Sequence, residues 1–170
     1  IKSYEDKIKF GEIKAGDQLM IHVNTHGSQG GPPEKSHQIS TAEGALENYD
    51  TLGGYKVSLD RLVNLTKLAE QKGIKLAIID LSCHSGSTIP LANSKTCVIT
   101  GTGPNHYGYG GGGTTFAGMF NSKLRKGKSL EDVYLDARSD YKDTSFPMIS
   151  SPQGMSVQNK LYDPLTPYLY

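Results

Sequence analysis

The sequence predicts an α/β domain built on a mostly parallel central sheet with helices packed against it. Two observations carry this. Three short apolar runs, Gln18–Val23, Leu76–Leu81 and Cys97–Thr100, have the length and β-branched content of buried strands. Helical periodicity fills the intervals around them, and strands alternating with helices pack as parallel strands joined by crossovers. At 170 residues the chain suits one domain over 1–170 with a single substantial core. Residues 1–16 read as a lead-in, and 147–170, rich in Pro, Ser and Tyr, as a segment wrapping the surface.

The first run is followed by a polar, proline-containing stretch over 27–46 that reads as a loop. A helix is then expected over Ser58–Gln71. Ser58 is its N-cap, with Arg61 where a capping box would place Glu or Gln. Leu59, Leu62, Val63, Leu65, Leu68 and Ala69 form its apolar stripe, and Gly73 is placed to stop it. The second strand begins at once, and a short link leads to the third. The stretch over 101–113 is dominated by glycine and reads as a loop. Helices over Thr115–Arg125 and Ser129–Tyr141 follow, the latter opened by Ser129 and Asp132 at capping-box spacing.

Composition narrows the function classes. Hydrophobic residues make up 36% and charged residues 21%, an ordinary globular balance. Formal net charge is +1 and the Lys and Arg residues are scattered, which argues against charge-driven binding to nucleic acid or membrane surfaces. The densest basic stretch, Lys123 to Lys128, reads as the solvated end of a helix. No apolar run approaches the roughly 20 residues of a membrane span. The chain opens at Ile1 with neither Met nor a signal-peptide pattern, so a processed protein or a piece of a longer one is expected. Two cysteines, Cys83 and Cys97, are not a disulfide scaffold. An extracytoplasmic location is favoured slightly over a cytoplasmic one.

The chemistry should lie just beyond the strands, because open α/β sheets bind ligands outside the carboxyl ends of their strands. Asn24-Thr25-His26-Gly27-Ser28 follows the first run, and Ser82-Cys83-His84-Ser85-Gly86-Ser87 follows the second. A parallel pair would bring His26 and Cys83 to one edge although they stand 57 residues apart. A thiolate is the reactive form of cysteine, and its free pKa of about 8.5 must fall or be assisted by a base. Gly27 allows close approach to a carbonyl, so its N–H and that of Cys83 can form an oxyanion hole. Ser85, Gly86 and Ser87 keep the turn uncrowded.

An apolar strand ending in His26-Gly27, then one ending in Asp80-x-x-Cys83-His84-Ser85-Gly86, resembles the caspase, metacaspase and legumain superfamily. Cys83-His84-Ser85-Gly86 is closest to metacaspases. His26-Gly27-Ser28 with Cys83 and Ser85-Gly86-Ser87 is similar to legumain-type enzymes. The likeness spans roughly Asp17 to Pro147. It implies a caspase-like α/β/α sandwich and a cysteine endopeptidase acting through a thioester, with Cys83 as nucleophile and His26 as proton-transfer partner. It also sets the third strand where these families pair bound substrate, which makes Thr100, Gly101 and Thr102 candidate substrate-binding residues. A peptide or protein is the implied partner. No metal or cofactor is required for the chemistry. Some metacaspases are activated by calcium, and no residue cluster here marks such a site. These families begin with a strand–helix–strand unit that Ile1–Gly16 is too short to supply. A second chain or precursor segment is therefore expected to provide it, with autoprocessing as the route. The pocket-lining acid that metacaspases and legumain carry two residues before the cysteine is here Leu81. Asp80, one residue further back, should face the other way.

Other readings stand beside this one. A caspase-like binding or scaffold domain without catalysis would keep the fold and tolerate Leu81. An α/β-hydrolase esterase lacks its Gly-x-Ser-x-Gly elbow here. His84 adjoins the nucleophile, yet neighbours on a tight turn point apart. Zinc bound by His26, Cys83 and His84 would lack paired ligand spacing and a fourth ligand. His22, His37 and His106 show no partner in the sequence. Cys97 reads as core. Asp80 reads as a polar group bonding backbone near the site or facing a helix. Gly110–Gly113 is no phosphate loop and reads as a connector; Tyr107 and Tyr109 beside it are placed to touch substrate.

Overall fold

The computed structural model describes residues 1–28, 37–40, 56–58, 60–108, 114–124, 129–142 and 144–150. Helix α1, Lys2–Lys9, leads into strand β1, Gln18–Val23. Three short strands follow, β2 (Gly27–Ser28), β3 (Gln38–Ser40) and β4 (Lys56–Ser58), then helix α2, Asp60–Lys72. Strand β5, Lys75–Asp80, runs into a 3-10 segment over Ser85–Leu91, and β6 covers Thr96–Thr100. Helices α3, Phe116–Leu124, and α4, Leu130–Asp140, precede β7, Met148–Ile149.

The central sheet has the order β1-β5-β6-β7, parallel through β1, β5 and β6 and closed by antiparallel β7. The fold is therefore α/β with a mixed, mostly parallel sheet. Strand β5 lies in the middle, and five of its six residues are buried, so it reads as a continuous apolar run rather than an alternating one. Its side chains nevertheless divide between two cores. Ala77 and Ile79, with Cys97 and Ile99, pack on α3 and α4. Leu76 and Ile78, with Val98, pack on α1 and α2 through Ile8, Leu62, Leu65 and Ala69. Helices thus cover both faces. None of them is long and apolar enough to cross a membrane.

Strand β1 matches its expected bounds, and the other two apolar runs shift by a residue. Leu81 leaves β5, although its amide still donates to the Val23 carbonyl at 2.8 Å. Gly73 ends α2 at φ +69, as a glycine stop should. Ser129 caps α4 by accepting the Asp132 amide at 3.1 Å. Ser58, expected to open α2, instead closes β4, while its hydroxyl accepts the Asp60 amide at 3.2 Å. The supposed loop over 27–46 contains β2 and β3, which join β4 in an antiparallel three-stranded sheet. The start of the expected surface-wrapping C-terminal segment is part of the sheet instead. Met148–Ile149 extends the main sheet, and the buried Ser150 exchanges bonds with Val98. Strands of two or three residues are too short to show a period, so pairing across the fold makes them. Leu59, Arg125 and residues 151–170 lie outside the described residues. So do Tyr109 and Gly110–Gly113. Lys123, at the basic helix end, pairs with Asp140 of α4 at 2.6 Å.

The Phe120 side chain is fully enclosed between sheet and helices. Phe120→Ala is expected to cost about 3–5 kcal/mol of unfolding free energy. Loss of the cap in Ser129→Ala is expected to cost about 1 kcal/mol. Urea denaturation of the two variants checks both the size and the order.

Candidate active site

The parallel register brings three strand ends level. Val23 pairs with Asp80, and Asp80 with Thr100. His26 lies three residues beyond Val23 and Cys83 three beyond Asp80, so the two leave neighbouring strands at matching distances. Both line one cleft of about 380 Å³, with Asn24, Thr25, Leu81, Gly108 and Ala117. His26 is exposed and Cys83 half-buried. The structure therefore brings the two candidate catalytic residues to the same cleft.

Close contact between the two strand exits demands glycine at 27. A Cβ there would sit 2.7 Å from both Ser82 Oγ and His37 Cε1, and closer still to the Cys83 carbonyl. The Cys83 thiol is held on its other side by Gly108, whose amide donates to Sγ at 3.3 Å and whose carbonyl accepts from it at 3.4 Å.

The next residue, His84, occupies the left-handed region at φ 61, which costs a non-glycine residue about 1–3 kcal/mol. Its surroundings hold it there. The His84 amide donates to the His106 carbonyl at 2.8 Å, its Nδ1 donates to the Pro104 carbonyl at 3.2 Å, and its ring meets Tyr107 edge-on at 4.7 Å. His84 is buried in these contacts and is not among the cleft residues. Ser85 and Thr102 then exchange reciprocal bonds, each amide donating to the other's hydroxyl, at 3.0 and 3.1 Å. Thr100, Gly101 and Thr102 are buried and spend polar groups inside the protein. The Thr100 hydroxyl donates to the Thr102 carbonyl, and the Gly101 amide to the Asp80 carbonyl. Gly101 and Thr102 do line a small recess beside the cleft, with Leu81 and Tyr141.

Under the turn lies a polar cluster whose partners the sequence does not reveal. Asp80 is fully buried and His37 nearly so, at 0% and 3% exposure. Asp80 Oδ1 accepts the Ser82 amide at 3.1 Å and hydroxyl at 2.6 Å. Its Oδ2 accepts the Thr88 hydroxyl at 2.7 Å and meets His37 Nε2 at 3.2 Å. His37 Nε2 also lies 2.9 Å from Ser82 Oγ, and Nδ1 donates to the Ser28 carbonyl at 3.2 Å. Both ring nitrogens thus face oxygens of the surrounding chain. Burial pushes the Asp80 carboxyl up. Hydrogen bonds from His37, Ser82 and Thr88, with the charge of His37, outweigh it and hold the group below its ordinary 3.8. Ser82, His37 and Asp80 do not form a serine nucleophile set. Serine and carboxylate share one ring nitrogen, and Ser82 is buried at 1% exposure.

Cys83 and Cys97 are both free. Cys97 belongs to the core, where burial pushes its thiol up to about 11. Among the described residues, no three His, Cys, Asp or Glu side chains gather as a metal site would require. No family model matches the chain, and no curated protein matches it.

Asp80 has a definite acid signature. Its folded value lies below 3.8, so its contribution is present above that pH and is lost as pH falls through the folded value. At neutral pH Asp80→Asn takes the ionised acceptor away from the Ser82, Thr88 and His37 donors, at a cost of about 1.5–3 kcal/mol. The gap between wild type and Asp80→Asn is expected to narrow once pH drops below 3.8. Urea denaturation across an acid series checks this; a gap that does not change with pH would show that Asp80 is not an ionised partner.

Proposed function

We propose that the protein is a caspase-like cysteine endopeptidase, with Cys83 as nucleophile and His26 as proton-transfer residue. The carrying observation is that both line one cleft at the level ends of adjacent parallel strands. Helices on both faces of a mostly parallel sheet are compatible with a caspase-like sandwich.

In this reading the Cys83 thiolate attacks the carbonyl carbon of a peptide bond, and the Gly27 and Cys83 amides receive the oxyanion. The tetrahedral intermediate collapses to a thioester as His26 gives a proton to the leaving amine. His26 then takes a proton from water, whose oxygen attacks the thioester, frees the acid and regenerates the thiolate. The Gly108 backbone, in contact with Sγ through both its amide and its carbonyl, orients the sulfur. Substrate preference follows the lining. Apart from His26 and Cys83, no described cleft side chain is ionisable, and Leu81 occupies the place where metacaspases and legumain carry an acid. Asp80 is spent beneath the turn and is not available to a basic substrate side chain. The outer edge of β1 has no strand partner among the described residues, which is compatible with a further strand from a second chain or precursor segment. Leu81 also favours a second reading, a caspase-like binding domain without catalysis. Such a domain would not give fast, His26-dependent labelling of Cys83 by a peptide electrophile.

A positional-scanning peptide library is the direct test. Cys83→Ala is expected to abolish cleavage of every peptide, and His26→Ala to lower kcat by about 10²–10⁴. Full activity in Cys83→Ala would end the proposal.

A further inference from the structure

The cleft joins two chain segments distant in sequence, and something must fix one against the other. The last ladder bond between them runs from the Leu81 amide to the Val23 carbonyl. Past that point the backbone ladder between β1 and β5 ends. The β1 exit turns into the β2–β3 pair and is fastened there, with the His26 carbonyl accepting the Ser40 amide at 2.9 Å and the Thr25 hydroxyl donating to the Ser40 carbonyl at 3.0 Å. His26 therefore moves with β3. Strand β3 is in turn preceded directly by His37, whose ring reaches back under the cleft. Its Nδ1 holds the Ser28 carbonyl, and its Nε2 holds Asp80 and Ser82, the latter adjoining Cys83.

We infer that the buried His37–Asp80 contact is a positioning device that sets the His26 segment against the Cys83 turn. This deepens the peptidase reading and rests on it. The two nitrogens of one rigid ring bridge the two segments, Nδ1 at the Ser28 carbonyl and Nε2 at Asp80 and Ser82. Ser82 joins the bridge to the nucleophile, since its hydroxyl bonds both Asp80 and His37 while its backbone continues into Cys83. Gly27 completes it, because the absence of a Cβ lets His37, Ser82 and the Cys83 carbonyl crowd the β1 exit. Neither His37 nor Asp80 is among the cleft residues, so the pair acts through others and is not itself catalytic. A displacement of about 1 Å between reacting groups costs on the order of 10²-fold in rate, enough for such a brace to matter.

The test compares wild type, His37→Gln and the double variant His37→Gln/Asp80→Asn. Stability, kcat and KM are measured for each, along with the rate of Cys83 alkylation by iodoacetamide with and without His26→Ala. His37→Gln leaves Asp80 as a lone buried carboxylate and is expected to be destabilised. The double variant leaves no buried charge and is expected to regain stability, while its kcat stays about 10²-fold low and its KM is nearly unchanged. That separation of stability from turnover is what a merely structural pair would not give. A stable double variant with wild-type kcat would overturn the inference and leave the peptidase reading intact. If wild type cleaves no peptide, the peptidase reading fails and alkylation decides the positioning claim alone. Replacing His26 should change the alkylation rate in wild type and have little effect in the double variant. Equal effects in the two backgrounds, or none in wild type, would overturn it.

Discussion

Asp80 ends β5 inside the protein, where an ionised carboxylate persists only if its oxygens are supplied with donors and its charge is answered. Three residues from different parts of the chain do this: Ser82 from the turn, Thr88 from the 3-10 segment and His37 from the start of β3. Each would stand elsewhere without the carboxylate. The turn would lose the anchor that folds Ser82 back beneath Cys83, and the small antiparallel sheet would lose its attachment to the large one through His37. A buried charge pair is a weak source of net stability. Its value here is geometric, since the directions of its hydrogen bonds leave few other arrangements open.

A second set of constraints comes from the loop after β6. Read along the chain, Cys83 meets Gly108, His84 meets His106 and Pro104, and Ser85 meets Thr102. The two segments run past one another in opposite directions, stitched almost residue by residue. This explains how His84 is kept in the left-handed region. It also explains glycine at 86, where a Cβ would lie 2.5 Å from the Pro104 nitrogen. The orientation of the cleft sulfur is thus fixed from both strands that flank it.

Much of this was legible in the chain. The apolar runs announced β1, β5 and β6, and parallel pairing followed from the helix between the first two. His26 and Cys83 were legible because each sits just past such a run. The short strands β2, β3, β4 and β7 were not, because they exist only through pairing. His37 was missed for a related reason. It lies in a polar stretch 45 residues from Ser82, and nothing local marks it. The available signal was Asp80 itself: an acid closing an otherwise apolar, buried strand requires a donor or a cation from elsewhere, and His37 in the preceding polar stretch was one candidate. Thr100, Gly101 and Thr102 illustrate the opposite difficulty, since a strand end that looks open in sequence is covered by the turn of its neighbour.

The two cysteines of this chain occupy opposite chemical worlds. Cys97 is sealed in the core, its thiol pushed up to about 11 and so protonated at any ordinary pH, whereas Cys83 opens on the cleft. The folded protein consequently behaves toward thiol reagents as a one-cysteine molecule. Stoichiometry of modification reports on the cleft without any need to engineer out the second sulfur, and the appearance of a second equivalent becomes a clock for the opening of the core.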